Sequence, residues 1–454
     1  MCAYRSKMVE RIRLPDRDER EAALEAAGYN VFGLDSNQVY VDLLTDSGTG
    51  TMSDAQWAAL VSGDEAYAGS SSFANIQETV EDVMGFSRVI PVHQGRGGEH
   101  VLYGALVEEG DSVPNNTHFD TTRAHVANAG GEPVDCPVEG GMDPDSEEPF
   151  KGNLDVDAVR ELADEVGAER IPAVILTITS NSMAGQPVSI ENTRKARKVA
   201  DELDATFVID ACRFAENAAF VQEREDGFSN WSVAEIAREQ LGLADAILMS
   251  GKKDGLVNVG GLVAVAEGVA DEEGRDLFEV CKQRTIMYEG FPTYGGMAGR
   301  DLAAMAVGLR EAVEEPYIRD RIGQVRRLAD KLEAVGMPVY RPVGGHAVYL
   351  LADRAMDHLP SERFPGQALT CELYREGAVR GVELGSFAFP DADRPEFVRL
   401  ALPRRMYHDE HLDHVAETAE GVLDGAEEVP GYEIVDEPPV PELRHFSAEL
   451  RPVE

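Results

Sequence analysis

The sequence predicts an α/β fold: a large domain on a mainly parallel sheet, joined to a smaller α+β domain. Three observations predict it. The chain has 454 residues, 43% of them apolar, enough for two or three cores. Between about residues 80 and 310, short apolar runs alternate with amphipathic helical stretches, the order that builds parallel sheets. Beyond about residue 300, longer helical stretches and isolated strand-like pieces replace that alternation.

In chain order, Asp16 to Ala27 reads as a charged, alanine-rich helix stopped by Gly28. A short strand follows at Val39 to Leu44, then the polar turn Thr45 to Thr49. The clearest strands are Arg88 to Val92, Ala173 to Thr179, Thr206 to Ile209, Ala246 to Met249 and Gly261 to Val265. Ile190 to Leu203 and Ser232 to Leu241 read as helices between them. A long helical region from Asp301 to Ala334 is expected to break near Pro316. Strands at Ala347 to Leu351 and Phe397 to Leu402, and helices at Gly366 to Glu376 and Asp409 to Glu420, complete the smaller domain. The proline- and glutamate-rich stretch from Glu427 to Glu454 reads as a loose tail, with Leu443-Arg444-His445-Phe446 apolar enough to dock.

The longest apolar runs, such as Ala173 to Ile178, are far too short to span a bilayer. The charged start, Met1 to Arg20, has no signal-peptide core. Five scattered cysteines (Cys2, Cys136, Cys212, Cys281, Cys371) form no CxxC and no disulfide framework. A soluble cytoplasmic protein is expected. The 42 Lys and Arg against 83 Asp and Glu give a net charge of −41. Such a surface repels nucleic acid and anionic membranes. Because the acids are spread along the chain, they predict adaptation to high salt, which screens self-repulsion, rather than a disordered acidic arm.

Only eight of the basic residues are lysines, yet Lys252 and Lys253 stand side by side after the apolar run Ala246 to Met249. In a chain that nearly avoids lysine, such a pair at a strand end points to chemistry that needs an amine. Ligands sit at the carboxyl ends of the strands in open α/β sheets, so the other strand ends are informative. They carry His93-Gln94-Gly95-Arg96-Gly97-Gly98-Glu99, then Asn181, then Asp210 with Arg213, then Ser250-Gly251-Lys252-Lys253. A glycine turn entering a helix holds a phosphate with its backbone N–H groups. With a strand-end aspartate to pair a pyridine nitrogen and a lysine to form a Schiff base, the set fits pyridoxal phosphate.

At this point the chain resembles the β-eliminating lyase family, which cleaves tryptophan or tyrosine, across nearly its full length. The matching stretches are Leu43 to Thr49, Gly63 to Gly69, Gln94 to Gly97, Ala184 to Ser189, Asp210 to Arg213, Ser250 to Asp254, Tyr288 to Gly290 and Pro403 to Arg405. The resemblance implies an aspartate-aminotransferase-like (fold type I) enzyme whose small domain is built from both chain ends. Its parts would be residues 1–50 and 310–454, flanking a cofactor domain at 51–309. It implies Lys253 as the Schiff-base lysine and Asp210 as the pyridinium partner, with Gln94, Gly95, Arg96, Ser250 and Lys252 on the phosphate side. Phe119 would stack on the ring, and Asn181 and Arg213 would lie near its phenolic oxygen. Thr45, Ser47 and Arg404 would meet the substrate carboxylate, with Arg405 as the competing arginine. Tyr67 would be the proton donor to the leaving group. Gly48, a buried Glu65 and Asn258 would hold a monovalent cation, potassium in this family. The family also implies a homotetramer whose sites borrow neighbouring residues, compatible with Tyr288 and Tyr294.

Three positions bear on the substrate. Leu384 stands where the tyrosine-cleaving branch has an arginine for the phenol oxygen; an apolar residue cannot bond a phenol but packs against indole. Asp120, where that branch has threonine, can accept from an indole N–H, which only donates. His445, beside Phe446, stands where that branch has phenylalanine. Together they predict elimination from tryptophan, giving indole, pyruvate and ammonium. Lys253, Tyr67, Asp120 and His445 are the expected catalytic groups; Thr45, Ser47, Arg404, Leu384 and Phe446 the substrate-binding ones. A lyase for tyrosine or for another aromatic amino acid is the runner-up, ahead of an aminotransferase or a non-catalytic member of the fold. His408, His411 and His414 have a spacing that spreads them round a helix, and they read as a solvated helix rather than a metal site.

Overall fold

The computed structural model describes residues 4–390, 394–439 and 443–453. Cys2, one of the five cysteines, lies outside them, as do residues 440–442 and 454 of the expected tail. The strands are β1 (Val41–Asp42), β2 (Val89–Val92), β3 (Ser112–Asn115), β4 (Glu132–Asp135), β5 (Ala173–Thr177), β6 (Thr206–Asp210) and β7 (Ala246–Ser250). They continue with β8 (Gly261–Val265), β9 (Ala347–Leu351), β10 (Val379–Arg380), β11 (Val382–Glu383), β12 (Phe397–Ala401), β13 (Gly431–Asp436) and β14 (Glu449–Val453). Backbone contacts divide the chain into two units. One is Ser47–Gly141 with Glu148–Arg321; the other comprises the segment ending at Asp46, Met142–Glu147 and the segment from Ile322 onward.

The first unit holds a seven-stranded sheet in the order β2-β8-β7-β6-β5-β3-β4. Only β8 runs antiparallel to its neighbours, so the mainly parallel sheet is as expected. Every residue of β5, β7 and β8 is buried, because helices cover both faces of a parallel sheet. Those helices start where the sequence supplies caps: the Ser189 side chain accepts from Asn192 N–H, and Ser232 forms a capping box with Glu235. β3 and β4 were not expected, since Ser112-Val113-Pro114-Asn115 and Glu132-Pro133-Val134-Asp135 carry no apolar run. Pro91 and Pro133 fall on the two edge strands, where a missing N–H does least harm. Register places Thr177 beside Asp210 and Asp210 beside Leu248. The segments leaving β5, β6 and β7 therefore share one edge of the sheet.

The second unit has an antiparallel sheet β11-β12-β9, a parallel pair β1-β10 and the hairpin β13-β14. Its core gathers Leu24, Val41, Leu328, Leu350, Tyr374, Val398, Leu400 and Tyr432. The expected break near Pro316 falls just before it, between the helices Gly299–Ala312 and Glu315–Ala334. Pro316 lies in the first turn of the second helix, where its missing N–H has no partner to lose. The expected loose tail is the hairpin, docked by the buried Tyr432 ring and by Leu450 N–H donating to Gly28 O at 2.9 Å. Among the described residues no helix is long and apolar enough to cross a membrane.

Candidate active site

At the carboxyl end of β2 the chain turns at Gln94 into the helix Gly95–Leu106, whose first N–H groups have no intrahelical acceptor. Gly95 lies so close to Ser250, at the end of β7, that a Cβ there would come within 2.9 Å of the serine Cβ. Only glycine lets the helix start approach that strand end. Lys252 Nζ donates to Gln94 Oε1 at 3.2 Å. Burial lowers the Lys252 pKa, and the neighbouring Lys253 and Arg96 lower it further. Three cations thus converge at a helix N-terminus in a chain of charge −41. That donor set fits a phosphate dianion, whose charge would relieve their repulsion.

Asp210 closes β6 with 8% of its surface exposed, and its Oδ1 accepts from Cys212 N–H at 3.0 Å. The Cys212 sulfur accepts from Ser250 N–H at 3.1 Å and from Lys253 Nζ at 3.5 Å. Burial, reinforced by Asp210, pushes this thiol up to about 12, so it stays neutral and links the strand ends. Asn181 and Arg213 are buried on the segments leaving β5 and β6. The structure therefore gathers Gln94, Gly95, Arg96, Ser250, Lys252, Lys253, Asp210, Asn181 and Arg213 at one sheet edge, an anion cradle, an amine and a carboxylate whose chemistry fits pyridoxal phosphate.

Glu99 was quoted in the glycine turn but given no role. Its side chain is 4% exposed, its Oε1 accepts from Thr122 Oγ at 2.6 Å, and its Oε2 is buried without a partner. Burial pushes it up to about 7 against the lowering effect of its Thr122 hydrogen bond, with the Asp210 charge raising it and Lys253 lowering it. Thr122 is on the helix Asp120–Asn128, capped by Phe119. Asp120 opens that helix, half-buried, and its Oδ1 accepts from Thr121 N–H at 2.6 Å.

Tyr67 is 69% exposed, its ring against Phe291 and edge-on to Tyr294 at 5.3 Å each, and the Tyr294 hydroxyl raises its pKa. Within this chain those rings, not the Lys253 cluster, are its partners. The expected cation set is brought together only in part. Asn258 Nδ2 donates to Gly48 O at 2.9 Å, and Gly48 N–H to Lys252 O at 2.8 Å. Glu65, expected to be buried, is 52% exposed and pairs with Arg300 at 3.0 Å; the arginine next in space claims the carboxylate that a cation would need.

In the second unit Arg404 is buried, with Nη1 2.9 Å from Asp46 Oδ2, whereas Arg405 is only half-buried. Thr45, beside Asp46, is half-buried, as is Ser47 in the first unit. Leu384 is buried just beyond β11, and its N–H donates to Phe397 O at 2.8 Å. His445 is 5% exposed, its ring edge-on to Phe32 and packed on Phe446. Burial, then the charges of Arg399 and Arg444, lower its pKa to about 4, so the imidazole is neutral. His414 Nε2 meets Gly377 O at 2.8 Å and His411 packs beside Tyr40 and Tyr407. Among the described residues no three metal-ligating side chains gather.

The sheet order, the strand-end lysine and the anion cradle define the fold type I architecture of pyridoxal phosphate enzymes. Solved structures of serine palmitoyltransferase from S. paucimobilis share it, one at TM-score 0.59 and 14% identity over 86% of this chain and 88% of that one. A SepCysS–SepCysE N-terminal domain complex aligns at TM-score 0.56 and 15% identity over 85% and 95% of the two chains. The family model for β-eliminating lyases matches residues 42–418, and the chain belongs to that family. It is 63% identical, over the full length of both, to a probable tryptophanase of Halobacterium salinarum. It is 48% identical to a tryptophanase of Salinibacter ruber and 47% identical to a tyrosine phenol-lyase of Intrasporangium calvum, covering 99% of this chain and 95% of each relative.

Proposed function

We propose that the protein is a pyridoxal phosphate-dependent lyase that converts L-tryptophan and water to indole, pyruvate and ammonium. The observation that carries this reading is the Lys253–Cys212–Asp210 chain of contacts beside the three-cation cradle. When bound, pyridoxal phosphate supplies an electron sink for the pair released at the substrate Cα. Gln94, Gly95, Arg96, Ser250 and Lys252 would hold its phosphate, and Asp210 would keep the pyridine nitrogen protonated. Phe119 would stack on the ring, and Asn181 and Arg213 would lie near its phenolic oxygen. Lys253 Nζ would anchor the cofactor and serve as the base for the substrate Cα proton. Thr45, Ser47 and Arg404 read the substrate carboxylate. Indole leaves only after protonation at C3, and Tyr67 is the donor, with Asp120 accepting from the indole N–H.

The preference for tryptophan is supported by the buried, apolar Leu384 and by the neutral His445 beside Phe446. A homotetrameric assembly belongs to the same proposal on the resemblance, as does potassium at Gly48 and Asn258, with Glu65 paired to Arg300 within this chain. Cytoplasmic location and growth in high salt rest on composition. The test is product analysis with pyridoxal phosphate in concentrated potassium chloride, offering tryptophan and tyrosine separately. Indole with equimolar pyruvate from tryptophan, and little phenol from tyrosine, is expected. Phenol from tyrosine instead would keep the chemistry and overturn the pocket assignment.

A further inference from the structure

The turn that follows β11 is held in an uncommon way. The N–H groups of Gly385 and Phe387 donate to Glu383 Oε1 at 2.6 and 3.1 Å, and that of Ala388 to Glu383 Oε2 at 2.8 Å. Ser386 N–H donates to Glu396 Oε2 at 3.0 Å. Four consecutive amides are thus claimed by two carboxyl groups that are only 2% and 6% exposed. On the carbonyl side, Arg444 donates through Nε to Phe387 O at 2.7 Å and through Nη2 to Ser386 O at 2.8 Å. Gly385 fits closely there, since a Cβ would lie 2.9 Å from the Glu396 Cα.

Burying two carboxyls and a guanidinium to shape one short turn is expensive, because each must be desolvated. A packed apolar turn would serve stability as well. What these polar groups add is a fixed shape. The turn carries Leu384 at its start, and Arg444 immediately precedes His445 and Phe446. Asn30 Nδ2 donates to His445 O and Ala448 O at 3.3 and 2.9 Å, holding the other side of that segment. Arg444 therefore ties the Leu384 turn to the His445–Phe446 segment, two pieces about 60 residues apart in sequence.

We propose that Glu383, Glu396 and Arg444 are positioning residues that lock Leu384, His445 and Phe446 into one wall, which selects the aromatic leaving group. This rests on the reading of those three residues as the side-chain pocket. None of the positioning groups need touch substrate; they act by denying the wall other shapes.

The experiment compares Glu383→Gln, which keeps the volume, and Arg444→Ala with the wild-type holoenzyme. Two substrates are used: the aromatic amino acid that the wild type cleaves faster, and S-methylcysteine, whose small leaving group needs no aromatic wall. Both variants should lose roughly tenfold or more in kcat/KM for the aromatic substrate, chiefly in KM, and about twofold or less for S-methylcysteine. Bound-cofactor absorbance should be unchanged. Equal losses on both substrates in both variants would reduce the clamp to a structural role and overturn the proposal, as would no loss on either. Wild-type enzyme that cleaves S-methylcysteine but neither tryptophan nor tyrosine would overturn the aromatic pocket itself, and with it the clamp, before any variant is measured.

Discussion

Arg404 Nη1 lies 2.9 Å from Asp46 Oδ2, and the two side chains are 2% and 3% exposed. The pair joins the end of the β1 segment to the segment after β12, and Nη1 also reaches Asp46 O at 3.3 Å. A guanidinium so enclosed is tolerable only with its counter-charge in place.

Asp46→Ala should therefore cost about 3–5 kcal/mol by taking its paired carboxylate away from the buried Arg404. Denaturant unfolding measures it. A loss below about 1 kcal/mol would show that Asp46 does not hold the arginine.

Glu99 gives a pH dependence of defined sign. Its folded pKa, about 7, lies above its ordinary value of 4.5 because of burial. Its stabilising contribution is complete below about pH 4.5 and is lost as pH rises through about 7. Between pH 5 and 8, Glu99→Gln should lose less stability than the wild type, by about 2 kcal/mol. Parallel stability curves for the two proteins would refute this.

His445 titrates in the opposite sense. Its folded value, about 4, lies below the ordinary 6.5, so its contribution is present above pH 6.5 and fades as pH falls through about 4. NMR of histidine-labelled protein should show this ring neutral down to about pH 5. A midpoint near 6.5 would mean that the ring is solvated and that its contacts with Phe32 and Phe446 do not persist.

Salt should act on the whole molecule. A net charge of −41 repels itself across a screening length of about 30 Å at 0.01 M salt but only about 3 Å at 1 M. Lowering potassium chloride from molar to about 10 mM should depress the thermal midpoint substantially, and sodium chloride should restore it equally well. A midpoint indifferent to salt would dismiss salt adaptation.

Much of this was legible in the sequence where burial on both faces leaves an uninterrupted apolar run, as in β5 to β8. β3 and β4 escaped because proline and polar residues stand in them, and partners rather than propensity make them strands. Pro316 marked the helix break correctly, because a proline is tolerated in a first turn but not in a helix interior. The strand-end groups Asp210, Ser250 and Lys253 could be read because topology brings such ends together. Cys212 and Glu99 lay inside quoted motifs, but only three-dimensional contact shows that one bridges Asp210 to Lys253 and the other is buried against Thr122. Arg444 and Glu383 gave no signal at all, since their partners are backbone groups. Glu65 was expected in a buried site, and the proximity of Arg300 is invisible along the chain.

The cluster of Arg96, Lys252 and Lys253 also bears on how quickly the apoprotein is loaded. In dilute solution an approaching phosphate ester meets the field of the acidic surface first, which pushes it away. In molar salt that field dies within about 3 Å, and so does any pull from the three cations. Encounter then becomes a matter of unaided diffusion, and the cations contribute only after contact, to residence time. Molar salt, which would relieve the self-repulsion of the chain, would thus leave these cations unable to draw an anion from a distance.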